Sequence, residues 1–83
     1  YVVFDLETTG VRPDADEIIE ISAIQVRGHK AVNEFSTLVN PGIHIPSAAS
    51  RVNHITDDMV EEAPKLAQAL EGFLEFAGND ILV

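Results

Sequence analysis

Cysteine and tryptophan are absent from the 83 residues, and methionine and tyrosine occur once each. Without cysteine there are no disulfide staples and no thiolate metal ligands, so any metal has to be held by oxygen or imidazole. Basic residues are scarce as well. Five Lys+Arg stand against 14 Asp+Glu, a net charge of −9, and Arg12, Arg27, Lys30, Arg51 and Lys65 are scattered along the chain. Such a balance repels a phosphate backbone at long range and offers no basic patch for a helical DNA-binding module. The repulsion has one escape: carboxylates gathered around divalent cations reverse the local sign. No apolar run approaches the roughly 18–20 residues of a membrane span, so the chain is expected to be soluble and cytoplasmic. The three histidines, His29, His44 and His54, lack metal-ligand spacing and read as surface or capping residues.

What is present, at 46% hydrophobic, is enough for one small core, hence one domain or part of one. Tyr1 to Leu6 is a β-branched and aromatic run with Val2, Phe4 and Leu6 on one face, which predicts a first strand. Thr9 to Asp16, with Gly10 and Pro13, reads as a loop. Two further runs, Glu17 to Arg27 and Ala31 to Asn40, flank Gly28-His29 and predict a hairpin. Ser47 is placed to cap a short helical turn, and Thr56 or Asp57 another. Pro64 suits the first turn of a longer helix, with Leu66, Leu70, Phe73, Leu74 and Ala77 as its core stripe and Gly78 as its stop; a partner-binding groove is the alternative use of that stripe. Asp80-Ile81-Leu82-Val83 looks like the start of a fourth strand, parallel to the first after a helical crossover. The expected class is α/β: an antiparallel three-strand meander, a helical crossover and a fourth strand. Tyr1 in place of a start methionine, and a second sheet face with nothing to cover it, suggest a domain that continues past Val83.

Asp5 and Glu7 stand at i and i+2 near the end of the first strand, so both side chains project from one face, roughly 6.5–7 Å apart at Cα. Both carboxylates can reach one hard cation or share two, and oxygen ligation suits Mg²⁺ or Mn²⁺. Two such ions can clamp the attacking and leaving oxygens of a phosphodiester hydrolysis. Thr8, Thr9 and Gly10 follow at once, two hydroxyls and a backbone free of Cβ that can meet a sugar or phosphate. The competing reading is a pair of solvated carboxylates before an ordinary turn. Against it, Asp5 interrupts an otherwise apolar strand, which costs stability unless the carboxylate is exposed, paired or metal-bound. Glu20, inside the second apolar run, is either an outward-facing residue or support for the metal cluster. Asp14, Asp16 and Glu17 lack calcium-loop spacing and read as a solvated loop.

Three blocks, Asp5-Leu6-Glu7-Thr8-Thr9-Gly10, Glu17-Ile18-Ile19-Glu20-Ile21-Ser22-Ala23-Ile24 and Val52-Asn53-His54-Ile55-Thr56-Asp57-Asp58-Met59, resemble in order the DnaQ-like, DEDD-type 3′–5′ exonucleases, the DEDDh branch in particular. The likeness includes the proofreading exonucleases of bacterial DNA polymerase III, of PolC type or epsilon subunit. The resemblance implies a ribonuclease-H-like fold and metal-dependent removal of nucleotides from a DNA 3′ end, with release of nucleoside monophosphates, in replication proofreading. It implies that Asp5 and Glu7 are catalytic metal ligands for Mg²⁺ or Mn²⁺, two ions in a complete site. Thr8 and Thr9 match positions lining the 3′-terminal nucleotide, and Val52 and Asn53 fall in the segment packing on its base or sugar. The family commonly has glycine where this chain has His54. Its two further aspartates and its histidine base would lie beyond Val83. By this likeness residues 1–83 are the N-terminal half of a single exonuclease domain, inactive alone, whose partners are a single-stranded DNA 3′ end and other polymerase subunits or domains. The reading of another class is a non-catalytic ribonuclease-H-like module that binds or scaffolds.

Overall fold

The computed structural model describes residues 1–12 and 14–83. Three strands, β1 (Val2–Thr8), β2 (Ile18–Arg27) and β3 (Lys30–Leu38), precede three helices, α1 (Ser47–Asn53), α2 (Asp57–Val60) and α3 (Leu66–Ala77). The sheet order is β1-β2-β3, antiparallel throughout. The β2–β3 hairpin turns on Gly28 and His29 at φ 56° and 65°, the paired positive angles that match the twist of the flanking strands. As the sequence predicts, residues 81–83 run parallel to β1: the Val2 N–H donates to the Ile81 carbonyl at 2.8 Å and the Val83 N–H to the Val2 carbonyl at 2.9 Å. β1 extends two residues further than its apolar run, through Glu7 and Thr8, because both still pair with β2.

Strand alternation sorts the sheet into two faces. Val2, Phe4 and Leu6 share a face with Ile21 and Ala23 of β2 and Phe35 of β3, and α3 packs there through Ala69, Phe73 and Ala77. Phe73 lies between Phe4 and Phe35, with ring centroids 5.6 and 6.2 Å away. The core stripe of α3 therefore departs from the expected one. Leu66, Phe73 and Ala77 face the core, whereas Leu70 is 38% exposed and Leu74 58%. Small residues decide this: Ala69 and Gly72 admit the helix close to the sheet, and a Cβ on Gly72 would touch the Phe35 ring at 3.6 Å.

A second apolar cluster, Ile19, Ile45, Ile55 and Val60, with Leu38 and Ala49 against it, fastens α1 and α2 to one end of β2 and β3. The cap of α2 falls on Thr56, one of the two expected residues, whereas that of α1 does not fall on Ser47. Pro46 and Thr56 occupy the N-cap positions, neither with a side-chain capping bond, and Ser47 is the first residue of α1. Asp57 instead accepts from the Ile45 N–H at 2.8 Å and pairs with His44 Nδ1. These bonds hold its carboxyl below the ordinary carboxylate value, the Ile45 amide first and His44 after it. Across the sheet, Asp80 accepts from Arg27 at 2.7 Å and Gln25 at 3.0 Å, which ties the parallel segment to the far end of β2.

Candidate active site

The local structure at the end of β1 is set by an irregularity in register. Glu7 pairs with Glu20 but Thr8 with Ile18, so one residue of β2, Ile19, is bulged at this point. A bulge re-aims the side chains beside it. Asp5, opposite Ser22, and Glu7, opposite Glu20, project from the sheet face that α3 leaves uncovered. Asp5 is exposed and Glu7 half-buried. Among the described residues neither carboxylate enters an ion pair, and the metal-ligating types form no group of three or more that could hold an ion.

Glu20 takes up the position that the sequence leaves open. It lies directly across from Glu7 on the same face, half-buried. Like charges at opposed positions of an antiparallel pair destabilise it. A divalent cation at Asp5 and Glu7 would relieve that repulsion, and a strand-end pair of carboxylates is the donor set a hard cation takes. The two carboxylates are thus donors of the right type for such an ion, and among the described residues they are a partial set.

Just past β1, a pocket of about 340 Å³ is lined by Leu6, Glu7, Thr8, Thr9, Gly10 and Val11 on one side and Ala48, Ala49, Val52 and Asn53 of α1 on the other. Glu7, Thr8, Thr9, Val52 and Asn53, singled out in sequence from two segments more than 40 residues apart, come together here; Asp5 stands two residues back along the same strand and is not part of the wall. Val52 is 79% exposed at the rim. Asn53 spans the two segments: its Nδ2 donates to the Thr8 carbonyl at 3.3 Å, and its Oδ1 accepts from the Ile55 N–H at 2.9 Å. The threonines differ sharply. The Thr8 hydroxyl donates to the Gly10 carbonyl. Thr9 is only 3% exposed, and its hydroxyl donates to Asp16 Oδ1 at 2.9 Å and accepts from the Glu17 N–H at 3.0 Å.

Asp16, read from sequence as part of a solvated loop, is half-buried and organises the turn after β1. Besides Thr9 it accepts from the Arg12 N–H at 2.7 Å through Oδ2. The apolar contribution of Leu6 and the small residues Ala48 and Ala49 also escapes sequence reading, since nothing in a short helical run says which side faces the strand end. His54, where glycine is common in the resembled family, caps α1 at φ 63°, donating its N–H to the Ser50 carbonyl at 2.8 Å. That is the left-handed region in which glycine is favoured.

Comparison with known proteins agrees with the geometry. The exonuclease (RNase_T) family model matches residues 2–83. PolC-type DNA polymerase III of Caldanaerobacter subterraneus is 46% identical over all 83 residues, that of Clostridium perfringens 43%, and that of Bacillus subtilis 40%. The chain spans 6% of the length of each of these relatives. Among solved structures, Exonuclease X in complex with 5′ overhanging duplex DNA superposes with a TM-score of 0.78 at 30% identity, over 87% of this chain and 42% of that one. The nuclease domain of 3′hExo, a DEDDh family member bound to rAMP, gives 0.81 at 25% identity, over 92% and 42%. The fold is thus the α/β arrangement expected from the strand order, and ribonuclease-H-like as the family resemblance implies.

Proposed function

Since this chain belongs to the RNase_T exonuclease family, we propose that it is the N-terminal half of a metal-dependent 3′–5′ exonuclease domain that trims DNA 3′ ends. Its setting is proofreading in a bacterial replicative polymerase of PolC type, in the cytoplasm. The observation that carries this reading is the single pocket formed by Glu7, Thr8 and Thr9 with Val52 and Asn53, adjoining the strand face that carries Asp5.

Asp5 and Glu7 would hold Mg²⁺ or Mn²⁺, and a bound pair of such ions supplies a deprotonated water and a stabilised leaving oxygen for in-line displacement at phosphorus. Everything else falls to the chain's own groups. Leu6, Ala49 and Val52 offer apolar surface to a base or sugar, and the strand-end backbone at Thr8 to Gly10 sets the depth to which a 3′ terminus enters. Thr9, buried and fully engaged with Asp16 and Glu17, serves by fixing that backbone. Asn53, bonded to the Thr8 carbonyl, keeps the helix wall in register with the strand wall. With a net charge of −9 the chain attracts no nucleic acid at long range. Productive binding then depends on the cations at Asp5 and Glu7, which gives the nuclease a strict metal requirement for substrate as well as for chemistry.

The test is calorimetric titration of Mn²⁺ into the full-length protein that carries this chain, alongside its Asp5→Ala form. Binding that Asp5→Ala removes supports the reading. Equal binding by both forms, or none by either, refutes it and favours the non-catalytic module, in which Asp5 and Glu7 would be solvated strand residues.

A further inference from the structure

Glycine at position 10 invites an explanation, because its backbone angle does not require glycine. Its backbone is not among the positive-φ positions, which are Gly28, Gly42, Gly78, His29 and His54. Gly10 also lines the pocket, where a bare backbone leaves room for a ligand. The three atoms nearest to a Cβ on Gly10 would all belong to Asp16: Oδ2 at 2.5 Å, Cγ at 2.8 Å and Oδ1 at 2.9 Å. Real Cβ atoms do not approach so closely, so either the carboxylate or the glycine has to move.

The carboxylate is not free to move without loss. Its Oδ1 accepts from the buried Thr9 hydroxyl, and its Oδ2 accepts from the Arg12 N–H. The Asp16 N–H donates to the Arg12 carbonyl at 2.8 Å, so the same residue is bonded to Arg12 by backbone and by side chain. The Thr9 hydroxyl passes the connection on to the Glu17 N–H, and the Thr9 N–H donates to the Glu17 carbonyl at 2.9 Å. The floor of the pocket, Thr8 to Gly10, is therefore held from behind by Asp16, which does not itself line the cavity.

We propose that Asp16 is a positioning residue of the nuclease site: its carboxylate, seated over Gly10 between Thr9 and Arg12, fixes the Thr8–Gly10 backbone that receives the 3′ terminus, and it leaves no room for a side chain at position 10. The role rests on the functional reading above, and two separate readouts keep them apart. Losing one such hydrogen bond should weaken binding by about two- to tenfold. In the full-length protein, Asp16→Ala is expected to raise KM for a 3′-labelled single strand by about that factor or more, with kcat within about twofold. Asp16→Asn, which keeps one acceptor for two donors, should fall between. Gly10→Ala alone should raise KM more than Asp16→Asn does. In the Asp16→Ala background the same Gly10→Ala change should add less than about twofold, because the obstructing atoms are gone.

An unchanged KM in Asp16→Asn, or an equal penalty for Gly10→Ala in both backgrounds, overturns the proposal. If Asp16→Ala does not fold, Asp16→Asn decides the matter by its KM against its kcat. If the wild-type protein cuts no strand at all, the functional reading has failed. The Gly10–Asp16 coupling is then read from the urea midpoints of wild type, Gly10→Ala, Asp16→Ala and their double variant, where non-additivity supports the contact and additivity overturns it.

Discussion

At His54 a full side chain occupies the left-handed region, φ 63°, at the end of α1. The conformation costs an L-residue roughly 1 kcal/mol or more, part of which glycine returns through its larger unfolded-state freedom. His54→Gly should therefore raise the stability of the fold by about 0.5–1 kcal/mol, read as a later urea midpoint at unchanged slope. A lower midpoint would mean that the imidazole holds contacts of its own. The same reasoning explains how much of the site was readable residue by residue. Asp5, Glu7, Thr8 and Thr9 are neighbours in sequence, and period-two geometry alone puts the two carboxylates on one face. Asp16 was not readable, because its partners, Thr9 and Arg12, are set by the path of the loop. The division of labour between Thr8 and Thr9 was hidden for the same reason.

Among the elements, α3 separates pattern from packing. Leucines at 66, 70 and 74 and Phe73 and Ala77 satisfy a helical stripe, yet the sheet takes the row through Ala69, Phe73 and Ala77. Two overlapping rows were compatible with the spacing, and the choice fell to the small side chains that let helix and sheet approach. Phe73→Ala should cost about 3–5 kcal/mol, enough to unfold so small a chain, whereas Leu74→Ala on the exposed side should cost under about 1 kcal/mol. Chemical denaturation of the two variants checks the ranking, and equal losses would contradict the packing described. The parallel segment after α3 has its own anchor in Asp80, whose carboxyl is held below its ordinary value first by Arg27 and then by Gln25. A carboxyl depressed in the folded state contributes stability that is complete above its unfolded value and fades as pH falls through the folded one. Thermal midpoints should therefore decline from about pH 4 downward, and Asp80→Asn should flatten part of that decline. Asp57, lowered by the Ile45 amide and by His44, contributes in the same sense. An Asp80→Asn profile that runs parallel to wild type would show that the clasp adds nothing.

For the whole molecule, order of strands and direction of pairing were legible because each strand announces itself by alternation and the hairpin by its two-residue turn. What sequence could not show was how α1 and α2 come back to the strand end. That return depends on Ile19, Ile45, Ile55 and Val60 meeting in a second cluster, a long-range choice with no local signature. It is this cluster that brings Val52 and Asn53 against Thr8 and so makes a pocket out of two distant segments. Among the described residues no helix is long and apolar enough to cross a membrane.

The most direct measurement is cleavage of one single strand labelled at its 3′ end and, separately, at its 5′ end, by the full-length protein with Mg²⁺ or Mn²⁺ and by its Asp5→Ala form. The account predicts immediate release of the 3′ label as a nucleoside monophosphate, a 5′-labelled ladder that shortens stepwise, and loss of both by a factor of about 10³ or more in Asp5→Ala. Release from the 5′ end first, internal cuts, or an Asp5→Ala form as active as wild type would contradict it.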